Sequence, residues 1–162
     1  MMADQCDICG KPIVSPYGNS DILIAGYAPD EWDYTKGYAF TGRKGKILQT
    51  ELDRVGIDLW SCRVAYLWYH EPNDNEECYQ RNMKELTLEM AGRKVLLLGS
   101  ALVKAMTGEN VMDWCGLKMQ SPTFPLSMQW AIVAPDPAQV EHSTIGELRL
   151  AIEKVGRLIK NG

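Results

Sequence analysis

Residues 94–101 read Lys94-Val95-Leu96-Leu97-Leu98-Gly99-Ser100-Ala101, and this stretch decides the fold. The apolar run is too short for a helix and lacks the polar alternation of a half-exposed strand. It fits a strand buried on both faces, as a parallel sheet requires. Gly99 ends the run. Ser100 then opens a short helix through Met106, which Gly108 closes.

The same unit recurs outward in both directions. Residues 21–25 form an apolar, β-branched strand ending at Gly26, residues 58–62 read as a second strand, and residues 130–134 form one that stops at Pro135. Between them, Ile47, Leu48, Leu52 and Val55 line one face of a helix over 46–55, stopped by Gly56. The run Asn73-Asp74-Asn75 offers caps for a helix reaching Met90, and Ser143 offers one for a last helix carrying Ile145, Leu148, Ile152, Val155 and Leu158. Strand and helix alternate four times. That order predicts an α/β fold, a three-layer αβα sandwich around a central, mainly parallel four-stranded sheet. Ligands in such folds sit at the carboxyl ends of the strands, here residues 26–30, the segment after Cys62, 99–100 and 135–137. The stretch 27–42 reads as a long loop, a length usually tied to function. Residues 109–128 read as irregular. Residues 1–20, with Cys6, Cys9, Pro12 and Pro16, read as a loop-rich lobe of one domain spanning 1–162.

With 46% hydrophobic and 23% charged residues, the chain is not disordered, collagen-like or a coiled coil as a whole. No apolar run approaches the ~20 residues of a membrane span, and no basic-then-apolar leader opens the chain. A cytoplasmic monomer is expected. The net charge of -4 argues against a generic nucleic-acid binder but leaves room for a local basic patch.

Five cysteines in such a chain read as metal ligands or buried thiols rather than disulfides. Cys6 and Cys9 form a C-x2-C pair, and Cys62 and Cys78 follow. Four thiolates suit either zinc or an iron–sulfur cluster, although four unrelated buried cysteines give the same pattern. Cys115, between Trp114 and Gly116, reads as a buried thiol.

The segment Gly26-Tyr27-Ala28-Pro29, then Gly37, then Phe40-Thr41-Gly42-Arg43-Lys44-Gly45 resembles the first motif of the family 4 and family 5 uracil-DNA glycosylases. That motif begins Gly-Glu-Ala-Pro-Gly and ends Gly-x-Pro-Phe-Val-Gly-x-x-Gly, with matching spacing. The family's Asn-x-x-x-Cys-Arg segment is matched on Asp58-Leu59-Trp60-Ser61-Cys62-Arg63, and its following Cys on Cys78. Its final His-Pro-Ser is matched on Asp136-Pro137-Ala138, and residues 94–101 match its strand leading into Leu-Gly-x-x-Ala. The resemblance implies a DNA glycosylase that flips a base and hydrolyses its N-glycosidic bond. It also implies a [4Fe-4S] cluster on Cys6, Cys9, Cys62 and Cys78, with zinc as the alternative, and DNA as the partner. A divergent small member would suit a phage or a defence system.

The departures from the motif carry the expectations about substrate. Phe40 keeps the ring on which a flipped base stacks, flanked by Tyr27 and Ala28. The family's uracil-reading Asn becomes Asp58 and its leaving-group His becomes Asp136. A Gly becomes Asp30, and the family's Glu becomes Tyr27. An ionised Asp only accepts hydrogen bonds, so Asp58 disfavours uracil O4 and favours a base with an amino group, such as cytosine or a modified pyrimidine. Asp30, Asp58 and Asp136 are the expected catalytic set. One is raised in pKa by its neighbours to act as an acid, or one holds the attacking water and steadies the sugar cation. Arg43, Lys44, Lys46 and Ser100, at helix starts, are the expected phosphate contacts. A catalytically silent member that binds DNA or a nucleotide, and a residual uracil or hypoxanthine glycosylase, are the rival readings.

Overall fold

A computed structural model describes residues 4–141 and 144–161. His142 and Ser143, the latter expected to cap the last helix, lie outside the described residues. The elements run β1 (Ile22–Gly26), α1 (Glu31–Lys36), α2 (Arg43–Arg54), β2 (Arg63–Tyr66), α3 (Glu76–Met90), β3 (Lys94–Leu98), α4 (Ser100–Thr107), α5 (Val111–Trp114), β4 (Trp130–Ala134) and α6 (Ile145–Asn161). The four strands pair in the order β2-β1-β3-β4, all parallel, with Leu23 opposite Arg63, Ile22 opposite Lys94, and Lys94 opposite Trp130. The chain steps from β1 to β2 on one side and then returns to β3 on the other. The order therefore reverses between β1 and β3, and the crevice at their carboxyl ends is where this architecture receives ligands.

Side chains alternate across the sheet, so each strand feeds two separate cores. Leu23, Ala25, Ala65, Val95, Leu97, Ala131 and Val133 pack against α3 and α4 through Leu86, Met90, Leu102, Val103 and Met106. Ile24, Val64, Tyr66, Leu96, Leu98, Ile132 and Ala134 pack against α2 and α6 through Leu48, Leu52, Leu148, Ala151 and Ile152. This is the three-layer sandwich the alternation of strands and helices predicts. Among the described residues no helix is long and apolar enough to cross a membrane.

The structure differs from expectation in four places. Residues 58–62 are not a strand: Leu59–Ser61 form a 3-10 turn and β2 begins at Arg63. The Asp58 carboxylate accepts from the Trp60 N–H at 3.1 Å and the Ser61 hydroxyl at 3.1 Å, so a local cap overrides the β-type composition. The expected loop 27–42 contains α1, started by a capping box in which Asp30 accepts from the Asp33 N–H and Asp33 accepts from the Asp30 N–H. Helix α2 begins at Arg43 rather than at 46, and residues 109–128 include α5.

Candidate functional site

The loop between β1 and α2 builds the site at the strand ends. Asp30 caps α1, and Gly37 ends it in a left-handed turn that brings the chain back across the end of the sheet. Phe40 follows with φ 59, a conformation that costs a non-glycine residue about 1–3 kcal/mol. The close approach of α2 holds it there, because a Cβ on Gly45 would stand 1.8 Å from the Phe40 carbonyl oxygen. Lys44, in the first turn of α2, points inward and is buried.

Three ionisable side chains meet behind Phe40. Asp33 is fully buried and accepts from the Tyr66 hydroxyl at 2.6 Å, and from the Thr41 N–H and hydroxyl at 3.0 Å each. The Lys44 ammonium lies 3.4 Å from Asp33 Oδ2 and donates to the Ala28 carbonyl at 3.1 Å. It also stands over the rings of Tyr66 and Phe40, 4.7 Å and 5.3 Å from their centroids, where the ring faces attract a cation. Burial alone would raise the Asp33 pKa. The Tyr66 hydroxyl, the Thr41 N–H and the Lys44 charge outweigh burial and hold the carboxyl below its ordinary value. Burial and the neighbouring Asp33 push the Tyr66 hydroxyl far upward, so it stays a donor. Each buried polar atom of this set therefore has a partner from the chain itself.

Tyr66 stands at the carboxyl end of β2, its ring 5.2 Å from that of Phe40 and tilted 44° to it. Phe40 and Tyr66 are only 3% and 1% exposed, so neither ring offers an open face. Gly26 backs the pair, since a Cβ there would come within 2.6 Å of the Tyr66 ring.

The expected site residues divide. Asp30 lies beside the set, 3.9 Å from the Lys44 ammonium, with its side chain 34% exposed. Tyr27 and Ala28 are half-buried, and both pack toward the α3–α4 side of the sheet. Asp136 follows the carboxyl end of β4, capping a 3-10 turn by accepting from the Ala138 N–H, and its side chain packs beside Gly99 at the end of β3. Arg43 and Lys46 are exposed in the first turn of α2, and Ser100 is exposed at the start of α4. Two expectations fail. Asp58 is exposed on the turn before β2, at the amino end of the sheet, while Phe40 packs against Tyr66 at the carboxyl end, so it does not join the base site. Lys44 is buried against Asp33, so it is not a phosphate contact.

A second cluster lies on the opposite face. Ligand atoms of Cys6, Cys9, His70 and Cys78 all stand within 4.8 Å of one another, a grouping compatible with a bound metal. Cys62 does not join them, correcting the expected fourth ligand. It shares the parity of Val64 and Tyr66, so it belongs to the α2–α6 core, where its thiol donates to the Asp58 carbonyl and burial pushes its pKa up to about 12. His70 takes its place. Its Nδ1 lies 2.8 Å from the Glu71 carbonyl oxygen, an acceptor, so Nδ1 is the donor there and Nε2 faces Cys9 at 3.6 Å. The Arg81 guanidinium donates to Cys6 Sγ at 3.1 Å and pairs with Asp7. Burial alone would raise the Cys6 pKa, but the N–H groups of Cys9 and Ile8 and the Arg81 guanidinium lower it to about 6.

Asp33, Tyr66 and His70 escaped the reading of the sequence. For Asp33 the signal was the capping pattern Asp30-x-x-Asp33. Tyr66 and His70 carry no such local signal. The structure places His70 beside Cys9, 61 positions away. The model of the uracil DNA glycosylase superfamily matches residues 12–152, covering all four strands. No curated protein matches the chain.

Proposed function

The chain belongs to the uracil DNA glycosylase superfamily, and on that premise we propose that it engages DNA through the carboxyl-end face of its sheet while its base site is closed to uracil by Tyr66. Membership supports, in general terms, a hydrolase acting on DNA, and base excision needs a flipped base held in a pocket. One observation carries the reading: the Tyr66 ring stands against Phe40 with its hydroxyl bonded to Asp33, filling the face on which a base would stack. An amide in such a position would both donate to and accept from uracil. Tyr66 spends its single proton on Asp33. Exposed Arg43 and Lys46 at the start of α2 supply charge for phosphate, joined by the Ser100 hydroxyl on α4.

Excision of another base is the second reading. It is favoured by Asp30 and Asp136, two carboxylates that remain partly exposed after the ends of β1 and β4. There one would position the attacking water and the other would steady the sugar cation. An amino-bearing pyrimidine has no reader in this site, because Asp58 caps the turn before β2 at the other end of the sheet.

Labelled single strands and duplexes containing uracil, cytosine, hydroxymethylated or glucosylated cytosine, or hypoxanthine test both readings. The expected result is salt-sensitive binding with no abasic sites from uracil. Abasic sites in the uracil lane would overturn the closed-site reading. Abasic sites in another lane, lost in Asp136→Asn, would establish the second.

A further inference from the structure

We propose that Cys6, Cys9, His70 and Cys78 bind one tetrahedral zinc ion rather than an iron–sulfur cluster. The spacing of the donor atoms suits a single ion. Around a single zinc, with bonds of about 2.3 Å to sulfur and about 2.0–2.1 Å to nitrogen, the edges of a tetrahedron are about 3.8 Å between sulfurs and about 3.5 Å between sulfur and nitrogen. Cys6 Sγ and Cys78 Sγ stand 3.8 Å apart, and Cys9 Sγ and His70 Nε2 stand 3.6 Å apart. These two pairs share no atom, so they are opposite edges of the same tetrahedron, and the remaining edges stay within 4.8 Å.

A cubane cluster places each ligand on a different iron. Its ligand atoms are then separated by an iron–iron edge and by the outward splay of two bonds. Four irons and four sulfides do not fit between donor atoms this close, so the cluster implied by the family resemblance does not fit these residues.

The donor chemistry agrees. Three thiols and one imidazole, opened by a C-x2-C turn, are a set that structural zinc takes with all four positions filled by protein. His70 is fully buried and its outer nitrogen is committed to the Glu71 carbonyl, the arrangement that aims the other ring nitrogen at a metal. Three thiolates on a dication leave one net negative charge, and Arg81 beside Cys6 balances it. The ion ties the segment containing Cys6 and Cys9 to α3, through Cys78, and to the segment after β2, through His70. Cys62 stays outside the site.

The full chain, purified without oxygen, is analysed for metal and by visible absorption, and the stripped chain is titrated with zinc, with cobalt, and with iron plus sulfide. One zinc per chain and the strong visible bands of tetrahedral, thiolate-bound cobalt are expected. His70→Ala and Cys78→Ser are expected to lose stoichiometric zinc. Cys62→Ala is expected to keep it, and Arg81→Ala to bind about 10- to 100-fold more weakly. His70→Cys is expected to retain one zinc, which separates loss of a ligand from failure to fold. Four irons with four sulfides per chain, or a chain that takes up none of these metals, would overturn the proposal. So would loss of metal in Cys62→Ala with retention in His70→Ala.

Discussion

The two faces of the sheet each bury a cluster of ionisable side chains, and the clusters solve that problem in opposite ways. On the α2–α6 side, Asp33, Lys44, Tyr66 and Thr41 satisfy one another, so the set is complete without a ligand. On the α3–α4 side, three thiols and an imidazole bring their ligand atoms within 4.8 Å of one another. Buried polar groups that bond internally close a site, whereas buried donors aimed at a common point call for something to be held there.

The largest expected effect breaks this contrast at the proposed zinc site. Apparent binding energies of structural zinc reach about 10 kcal/mol, so stripping the ion is expected to lower the melting temperature more than any single substitution on the other face. Calorimetry of the chain before and after chelation checks this, and an unchanged melting curve would equate the two clusters. Next comes Lys44→Met. It leaves Asp33 buried without its cation and is expected to cost about 3–5 kcal/mol in denaturant unfolding.

A smaller loss sharpens the closed set. Tyr66→Phe removes one of the donors to Asp33 and is expected to cost about 1–3 kcal/mol, with zinc content unchanged. Acid tests the same carboxylate. Because folding lowers the Asp33 pKa, its contribution is whole above the unfolded carboxylate value of about 3.9 and fades as pH falls below it toward the folded value. Melting temperatures between about pH 5 and pH 2 are expected to fall less steeply in Asp33→Asn than in the parent chain. The smallest effect belongs to Asp58→Asn. It keeps a capping oxygen on an exposed turn, so it is expected to change stability by less than about 0.5 kcal/mol and leave DNA binding as it was.

The strands at 22–26, 94–98 and 130–134 were legible because each is a short apolar run ended by glycine or proline, and that pattern has one physical meaning in an alternating chain. The second strand was placed early because Asp58, Trp60 and Cys62 offered both a β-type run and a cysteine at a plausible distance. The side-chain cap of Asp58, which dissolves that strand, leaves no mark in hydrophobic periodicity. The error carried the expected base reader and the fourth ligand with it, since a strand displaced by several residues puts other side chains at its end. Phe40 was legible as part of the loop leading into α2, but its burial against Tyr66 was not. Lys44 reads as one of three basic residues after Gly42, and only tertiary packing turns it away from solvent. Nothing local in the sequence links His70 to Cys6 and Cys9, more than sixty positions away.

The alternation along β2 has a genetic consequence. Cys62, Val64 and Tyr66 face α2 and α6, while Ala65 and Leu67 face α3 and α4. Losing one codon at position 63 or 64 would turn the remaining side chains through the sheet, delivering a phenol toward the cysteine cluster's side and an aliphatic chain to Asp33. Lineages of this chain should therefore accumulate length changes in the turns around 58–61 and 71–74 and keep the count between them invariant.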